Sequence, residues 1–262
     1  MPLAEYFDPL YALSGLFVGA IVGLTGVGGG SLMTPLLILM FGVHPATAVG
    51  TDLLYAAATK GAGTLAHGFN RAVDWRVVAL LAAGSVPAAA ITVGFLSMTG
   101  VDSSAASHII STVLGFMLVV TALATFLRPQ IVAFAHRRSE PGETSQLGLT
   151  IFTGAVIGVL VSISSIGAGA IGVTVLLLLY PKMSTVRVIG SDIAHAVPLT
   201  LVAGAGHWII GSIDWPMLSS LLVGSIPGVL IAGHFAPRAN DLILRLLLGT
   251  VLAVVGIRLL IA

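Results

Sequence analysis

Cysteine is absent and charge is scarce: of 262 residues, only 8% are Asp, Glu, Lys or Arg. The missing cysteines exclude disulfides, thiolate chemistry, thiol-bound metals and cysteine-linked lipids. The missing charge excludes more. A soluble domain carries roughly 25% charged residues, and this chain has too few to coat a core of its own size in water. Aromatics are sparse too, at 6%, while 57% of the chain is hydrophobic and the mean hydropathy is +1.09. The apolar surplus must face lipid. A net charge of only +1 offers nucleic acid no basic surface. No Lys or Arg precedes Leu10, where Glu5 and Asp8 stand instead. A secretory leader opens on basic residues, so the first apolar stretch is expected to stay in the mature protein. There is no Walker-type phosphate loop, which leaves ATP drive out of this chain. Nothing calls for a cofactor or a metal.

What is present is a series of apolar runs. Crossing the hydrocarbon takes roughly 20 apolar residues in a helix. Six stretches meet or approach that length, near 46–68, 75–97, 106–127, 188–210, 215–236 and 241–261. Four shorter ones come as two pairs, 11–24 with 31–42 and 147–162 with 170–180. Small residues join each pair: Thr25-Gly26-Val27-Gly28-Gly29-Gly30-Ser31 in the first, Ser164-Ser165-Ile166-Gly167-Ala168-Gly169-Ala170 in the second. Such runs break helices, and broken backbone at membrane depth survives only inside protein or along a wet cavity. Each pair therefore reads as a re-entrant hairpin or as two short tilted spans. Residues 128–145, with Arg128, His136, Arg137, Arg138, Glu140 and Glu143, read as a solvated linker.

The linker divides two halves that match. Gly50-Thr51-Asp52 corresponds to Gly190-Ser191-Asp192, His67 to His207, Asp74-Trp75 to Asp214-Trp215, and Gly84-Ser85 with Pro87 to Gly224-Ser225 with Pro227. Upstream, Gly19 and Gly23 align with Gly154 and Gly158 after a small gap. Lys and Arg mark the cytoplasmic side of short loops. Arg71, Arg76, the linker arginines, Lys182, Arg187, Arg238 and Arg245 all fall on one side if segments alternate from an outside N-terminus, and only Arg258 falls opposite. The predicted fold is an all-α polytopic membrane protein of about ten transmembrane segments in two inverted repeats, 1–127 and 146–262, joined by the 128–145 cytoplasmic linker. Both termini are expected outside, with the basic side in the cytoplasm. Inverted repeats with interrupted helices are a transporter signature.

The breaks supply candidate chemistry. A helix N-terminus exposes unpaired N–H groups and roughly half a positive charge, and glycine lets a ligand approach that backbone. Two tips entering from opposite faces would cradle a small anion, with Thr25, Ser31, Ser164 and Ser165 adding hydroxyls beside Gly28, Gly29, Gly30, Gly167 and Gly169. Small residues equally serve close helix packing. Asp52 and Asp192 are either helix caps or coupling groups. Lys60, whose counterpart is Thr200, can pair with Asp52, snorkel to the surface or attract the anion. His195, one turn after Asp192, is the best placed of the histidines for proton coupling. His67 and His207 read as interfacial caps, and Asp74-Trp75 and Asp214-Trp215 as N-caps followed by aromatic anchors.

The glycine-rich opening Gly23-Leu24-Thr25-Gly26-Val27-Gly28-Gly29-Gly30 resembles that of the sulfite exporter TauE/SafE family of membrane permeases, as do Ala48-Val49-Gly50-Thr51, Gly190-Ser191-Asp192-Ile193-Ala194-His195-Ala196-Val197-Pro198 and the Asp-Trp turns. The resemblance covers nearly the whole chain. It implies movement of sulfur-containing anions such as sulfite and organosulfonates across the bacterial inner membrane; protons are the coupling ion expected from the histidine and Asp192 reading above. The family more often has Ser where Asp52 stands, and a longer glycine run at the second break. A passive anion channel and an intramembrane Ser/His enzyme are the alternatives the residues leave open.

Overall fold

A computed structural model describes residues 7–25, 30–68, 73–99, 104–137, 140–235 and 240–261. Among these there are eleven α-helices and no strand: α1 (Pro9–Thr25), α2 (Gly30–Phe41), α3 (Pro45–Gly68), α4 (Trp75–Thr99), α5 (Ser104–Phe126), α6 (Arg128–Ala135), α7 (Glu143–Ser164), α8 (Ala170–Leu179), α9 (Thr185–Ile209), α10 (Trp215–Phe235) and α11 (Asp241–Ile261). Six are long and apolar enough to cross a membrane: α4, α5, α7, α9, α10 and α11. Five of them are among the six expected; the sixth is α7, read as a short hairpin arm, in place of the 24-residue α3. α7 has 22 residues, because the polar residues 143–145, assigned to the linker, form its first turn with Gln146. The linker is also less open than expected. Its first half is α6, with Pro129 in the first turn and Ala135 buried against Val77, Leu81 and Val173.

The outside is apolar and the inside is small. Phe17, Met40, Ile91, Phe95, Met98, Ile209, Ile231 and Val254 are all at least 60% exposed, a pattern that fits lipid and not water. The centre is built from α3 and α9, where Val49, Leu53, Ala196, Leu199 and Ala203 pack with Ile110, Ile157, Val161 and Ala168.

Each half sends its first helix into the other. α1 packs along α10 and α7 along α4, through glycines where the partner backbone takes the place of a side chain. A Cβ on Gly19 would lie 2.5 Å from the Ser225 carbonyl oxygen, and one on Gly158 would lie 2.8 Å from Ser85 Cα. Gly15 meets Leu221 as Gly154 meets Leu81. These contacts pair Gly15 with Gly154 and Gly19 with Gly158, one helical turn away from the alignment of Gly19 with Gly154. The central helices are tied across the halves in the same reciprocal way: Asp214 N–H donates to Thr51 Oγ1 at 3.1 Å and Asp74 N–H to Ser191 Oγ at 2.8 Å. α5 and α11 lie antiparallel, since Gly249 faces Phe126 while Gly256 faces Gly115 and Leu118.

The α7–α8 pair is a hairpin with unequal arms. Gln146 donates to the Leu179 carbonyl at 2.7 Å, and Thr150 meets the Tyr180 hydroxyl at 2.8 Å. Its mouth therefore opens at the linker. The α1–α2 pair closes its own mouth with the Tyr11 and Phe41 rings, 4.7 Å apart. Both Asp-Trp turns behave as read. Asp74 Oδ1 accepts from the N–H groups of Arg76 and Val77, Asp214 Oδ1 accepts from Met217 N–H, and Trp75 and Trp215 are exposed. The linker face carries the ion pairs Arg76–Glu143, Lys182–Glu140 and Arg187–Asp74 at 3.0, 2.7 and 3.2 Å.

Candidate functional site

Asp52 is the eighth residue of α3 and Asp192 the eighth of α9. Two turns into their helices, neither can cap its own N-terminus, so that reading is corrected. Each instead faces the short helix of its own half. Asp52 Oδ2 accepts from Thr34 Oγ1, in the second turn of α2. Asp192 faces the Gly169 amide, and its Oδ1 lies against the Gly172 Cα, in the space a Cβ would fill. Both carboxylates are at most 1% exposed.

The second break has the shape its residues require. Ser165 ends α7 in the left-handed region at φ 58°, Gly167 follows at 135° and Gly169 at 136°. The last two values are ones a β-carbon opposes. Ser164 Oγ bonds the Leu160 carbonyl and Ile166 N–H, so it supports the break itself. Ser165 is different. Its side chain faces Asp52, and its hydroxyl has no hydrogen-bond partner among the described residues.

Lys60 joins the two halves here. It is 5% exposed and its Nζ donates to the Ala168 carbonyl at 3.2 Å. That excludes snorkelling. Lys60 acts electrostatically on Asp192 and on Asp52, yet among the described residues every close ion pair lies on the linker face. Lys60 thus neutralises the carbonyl side of the break while Asp192 sits at its amide side. The formal charge of Asp52, Asp192 and Lys60 together is −1. Asp52 Oδ1 and Asp192 Oδ1 are buried without a hydrogen bond among the described residues. A buried, unpaired carboxylate oxygen is costly to keep.

His195 adjoins this cluster. Its Nε2 is 2.8 Å from Ser85 Oγ, and its Nδ1 has no partner among the described residues. Among the described residues, such a Ser–His pair lacks the third group that would orient the base for nucleophilic chemistry. His207 is fully buried, with Nε2 3.0 Å from the Ser162 carbonyl oxygen, which corrects its reading as an interfacial cap. Gly28 and Gly29 lie outside the described residues, as do the side chains of Thr25, Ser31 and His67. Gly30 is the first residue of α2. Three contributors were not read from sequence: Thr34, Ser85 and the Ala168 carbonyl. Ser85 had a signal, since it recurs as Ser225 beside a glycine in both halves. The other two had none.

Six long apolar helices, a hairpin broken at strained small residues, and ionisable side chains buried in the interior define the class: a polytopic helical membrane transporter. The family model for "Sulfite exporter TauE/SafE" matches residues 11–259, and the chain belongs to this TauE/SafE family. It is 38% identical over 253 residues to "Probable membrane transporter protein YjnA" of Bacillus subtilis, covering 94% of this chain and 97% of that one. It is 24% identical over 248 residues to "Probable membrane transporter protein YdhB" of the same organism, covering 93% and 96%. A "Probable membrane transporter protein" of Xylella fastidiosa is 26% identical over 255 residues, covering 93% and 91%. No solved structure matches the chain.

Proposed function

We propose that this chain is a secondary permease that carries small sulfur-containing anions, such as sulfite or an organosulfonate, outward across the bacterial inner membrane. The observation that carries the reading is Lys60. Its buried ammonium is held on the carbonyl of a helix break, beside the N-terminus of α8. Ionisable groups inside a membrane protein face pathways or partners, and an ammonium next to a helix N-terminus suits a small anion. Two inverted repeats fit the reciprocal packing of α1 on α10 and of α7 on α4. The 1–127 and 146–262 halves then enclose the site between them. The family relation makes a transporter of the chain, and the buried Ser85–His195 pair does not make it an enzyme.

The test is flux into proteoliposomes with a panel of sulfite, organosulfonates, sulfate and carboxylates. Saturable flux for the sulfur anions, lost in Lys60→Met, is the expected result. Saturable flux of carboxylates alone would move the substrate class. Flux that never saturates would make the protein a channel.

A further inference from the structure

The N-terminus of α8 is already occupied, by a carboxyl group of the protein itself. Asp192 faces the Gly169 amide, and its Oδ1 presses on Gly172, the third residue of α8. Glycine at 172 makes the space: a Cβ there would collide with the carboxylate. The same Oδ1 is buried without a hydrogen bond among the described residues. Asp192 therefore fills the place an anionic ligand would take, and fills it imperfectly. A helix N-terminus stabilises whichever negative charge reaches it, so substrate and carboxylate compete for one seat.

We propose that Asp192 is a tethered anion, and that a substrate anion takes the seat at α8 as Asp192 accepts one proton and gives the seat up. This rests on the anion-permease reading above. The step balances. One proton from the aqueous side adds to an Asp192 carboxylate oxygen, and one monovalent anion enters, so the formal charge of the site stays at −1. Without the proton the same anion would bring the buried site to −2. Of the titratable groups, Lys60 from α3 faces Asp192; Asp52, also on α3, and His195, one turn further along α9, face that same Lys60. α8 carries no titratable residue, and α4 and α7 carry only Arg76 and Glu143, both at the linker face. A metal cation is a poorer answer than a proton. Among the described residues no group of His, Asp and Glu side chains could hold one, and Lys60 already places a positive charge on the break carbonyl. Asp52 holds the equivalent position toward α2 through Thr34.

The experiment uses the full chain in lipid nanodiscs and methanesulfonate, which keeps one negative charge throughout roughly pH 5 to 8. Affinity of the unaltered protein should fall about tenfold per pH unit on the alkaline limb, the slope for one proton per anion. Calorimetry in buffers of different ionisation heat should show about one proton taken up per anion bound. Asp192→Asn should bind with an affinity that ignores pH and is at least as tight as the unaltered protein in acid. His195→Gln should keep the slope. Tight binding that ignores pH in the unaltered protein, with no proton uptake, overturns the tethered anion and leaves the permease reading standing. A slope lost in His195→Gln and kept in Asp192→Asn moves the proton to the histidine and overturns it too. No binding of methanesulfonate, sulfite or sulfate at any pH, by folded protein, overturns the permease reading and this inference with it. The proton count needs no variant, so a misfolded Asp192→Asn does not spare the proposal.

Discussion

Lys60 is the residue whose removal separates stability from transport most cleanly. Among the described residues it is the one buried Lys or Arg, it acts on two buried carboxylates, and its Nζ satisfies the Ala168 carbonyl. Breaking a buried charge constellation by removing one partner costs about 3–5 kcal/mol. Lys60→Met should lower the thermal midpoint by a margin of that order and abolish flux. Adding Asp192→Asn removes one of the stranded charges. The double variant should regain most of the stability, measured as non-additivity of the two changes, and still fail to transport. Equal losses that simply add would mean that Lys60 and Asp192 do not sense each other. Ser165 offers the opposite separation. It sits at φ 58°, a conformation that costs an L-residue about 1–2 kcal/mol and glycine nothing. Ser165→Gly should therefore hold or raise the thermal midpoint while losing the hydroxyl that faces Asp52. If that hydroxyl contributes to the site, anion affinity falls about 5- to 10-fold, the loss of one neutral hydrogen bond of about 1 kcal/mol. Unchanged affinity would assign Ser165 to the break alone.

Among the elements, the break and the glycine seams need different tests, although both are made of small residues. Gly167 and Gly169 are demanded by their own backbone angles, so a valine at either position would disturb folding whether or not an anion binds there. The seam between α4 and α7 is demanded by a neighbour: a Cβ on Gly154 would stand 3.0 Å from Leu81 Cα and closer still to its carbonyl oxygen. Gly154→Ala should cost about 1–3 kcal/mol by overpacking. Gly61→Ala has open space around it and should stabilise by about 0.5–1 kcal/mol through helix propensity. Thermal midpoints of the two variants moving the same way would refute the seam argument. The contrast also shows what was legible in the sequence. Hydropathy located the helices because each one must bury its own backbone in lipid, so α9, α10 and α11 began and ended within a few residues of expectation. It missed α6, whose eight residues bury mainly Ala135, and it shortened α7, whose polar first turn is held by α8 and not by lipid. The site was half legible. Asp52, Lys60 and Asp192 announced themselves as ionisable residues in apolar runs. Which helix end each aspartate faces depends on packing between segments, and the Lys60–Ala168 contact joins residues 108 apart, beyond the reach of any local pattern.

At the scale of the whole molecule, the antiparallel course of α11 against α5 fixes the relation between the chain's ends. α5 runs toward the linker, since Phe126 directly precedes Leu127 and α6. Gly249, near the start of α11, meets Phe126, and Gly256 meets Gly115, so α11 starts at the linker face and finishes at the other. α1 starts at that other face as well, where Asp8 N–H donates to Ser220 Oγ in the first turns of α10. The linker face collects Arg76, Lys182 and Arg187 with their acidic partners, and short loops rich in Lys and Arg stay in the cytoplasm. The expected topology thus has residues near 10 and 261 outside and residue 137 inside. The absence of cysteine makes the measurement direct, because a single introduced thiol meets no background. Leu10→Cys and Ile261→Cys, both at exposed positions, should react with a membrane-impermeant maleimide added to intact cells. Arg137→Cys should react only after the membrane is opened. Labelling of Leu10→Cys and Ile261→Cys from opposite sides would contradict the antiparallel pairing of α5 and α11 and, with it, the inverted halves. Both protected and Arg137→Cys labelled would keep the fold and reverse the protein in the membrane, placing the mouth of the α7–α8 hairpin, and the Asp192 seat beyond it, toward the outside.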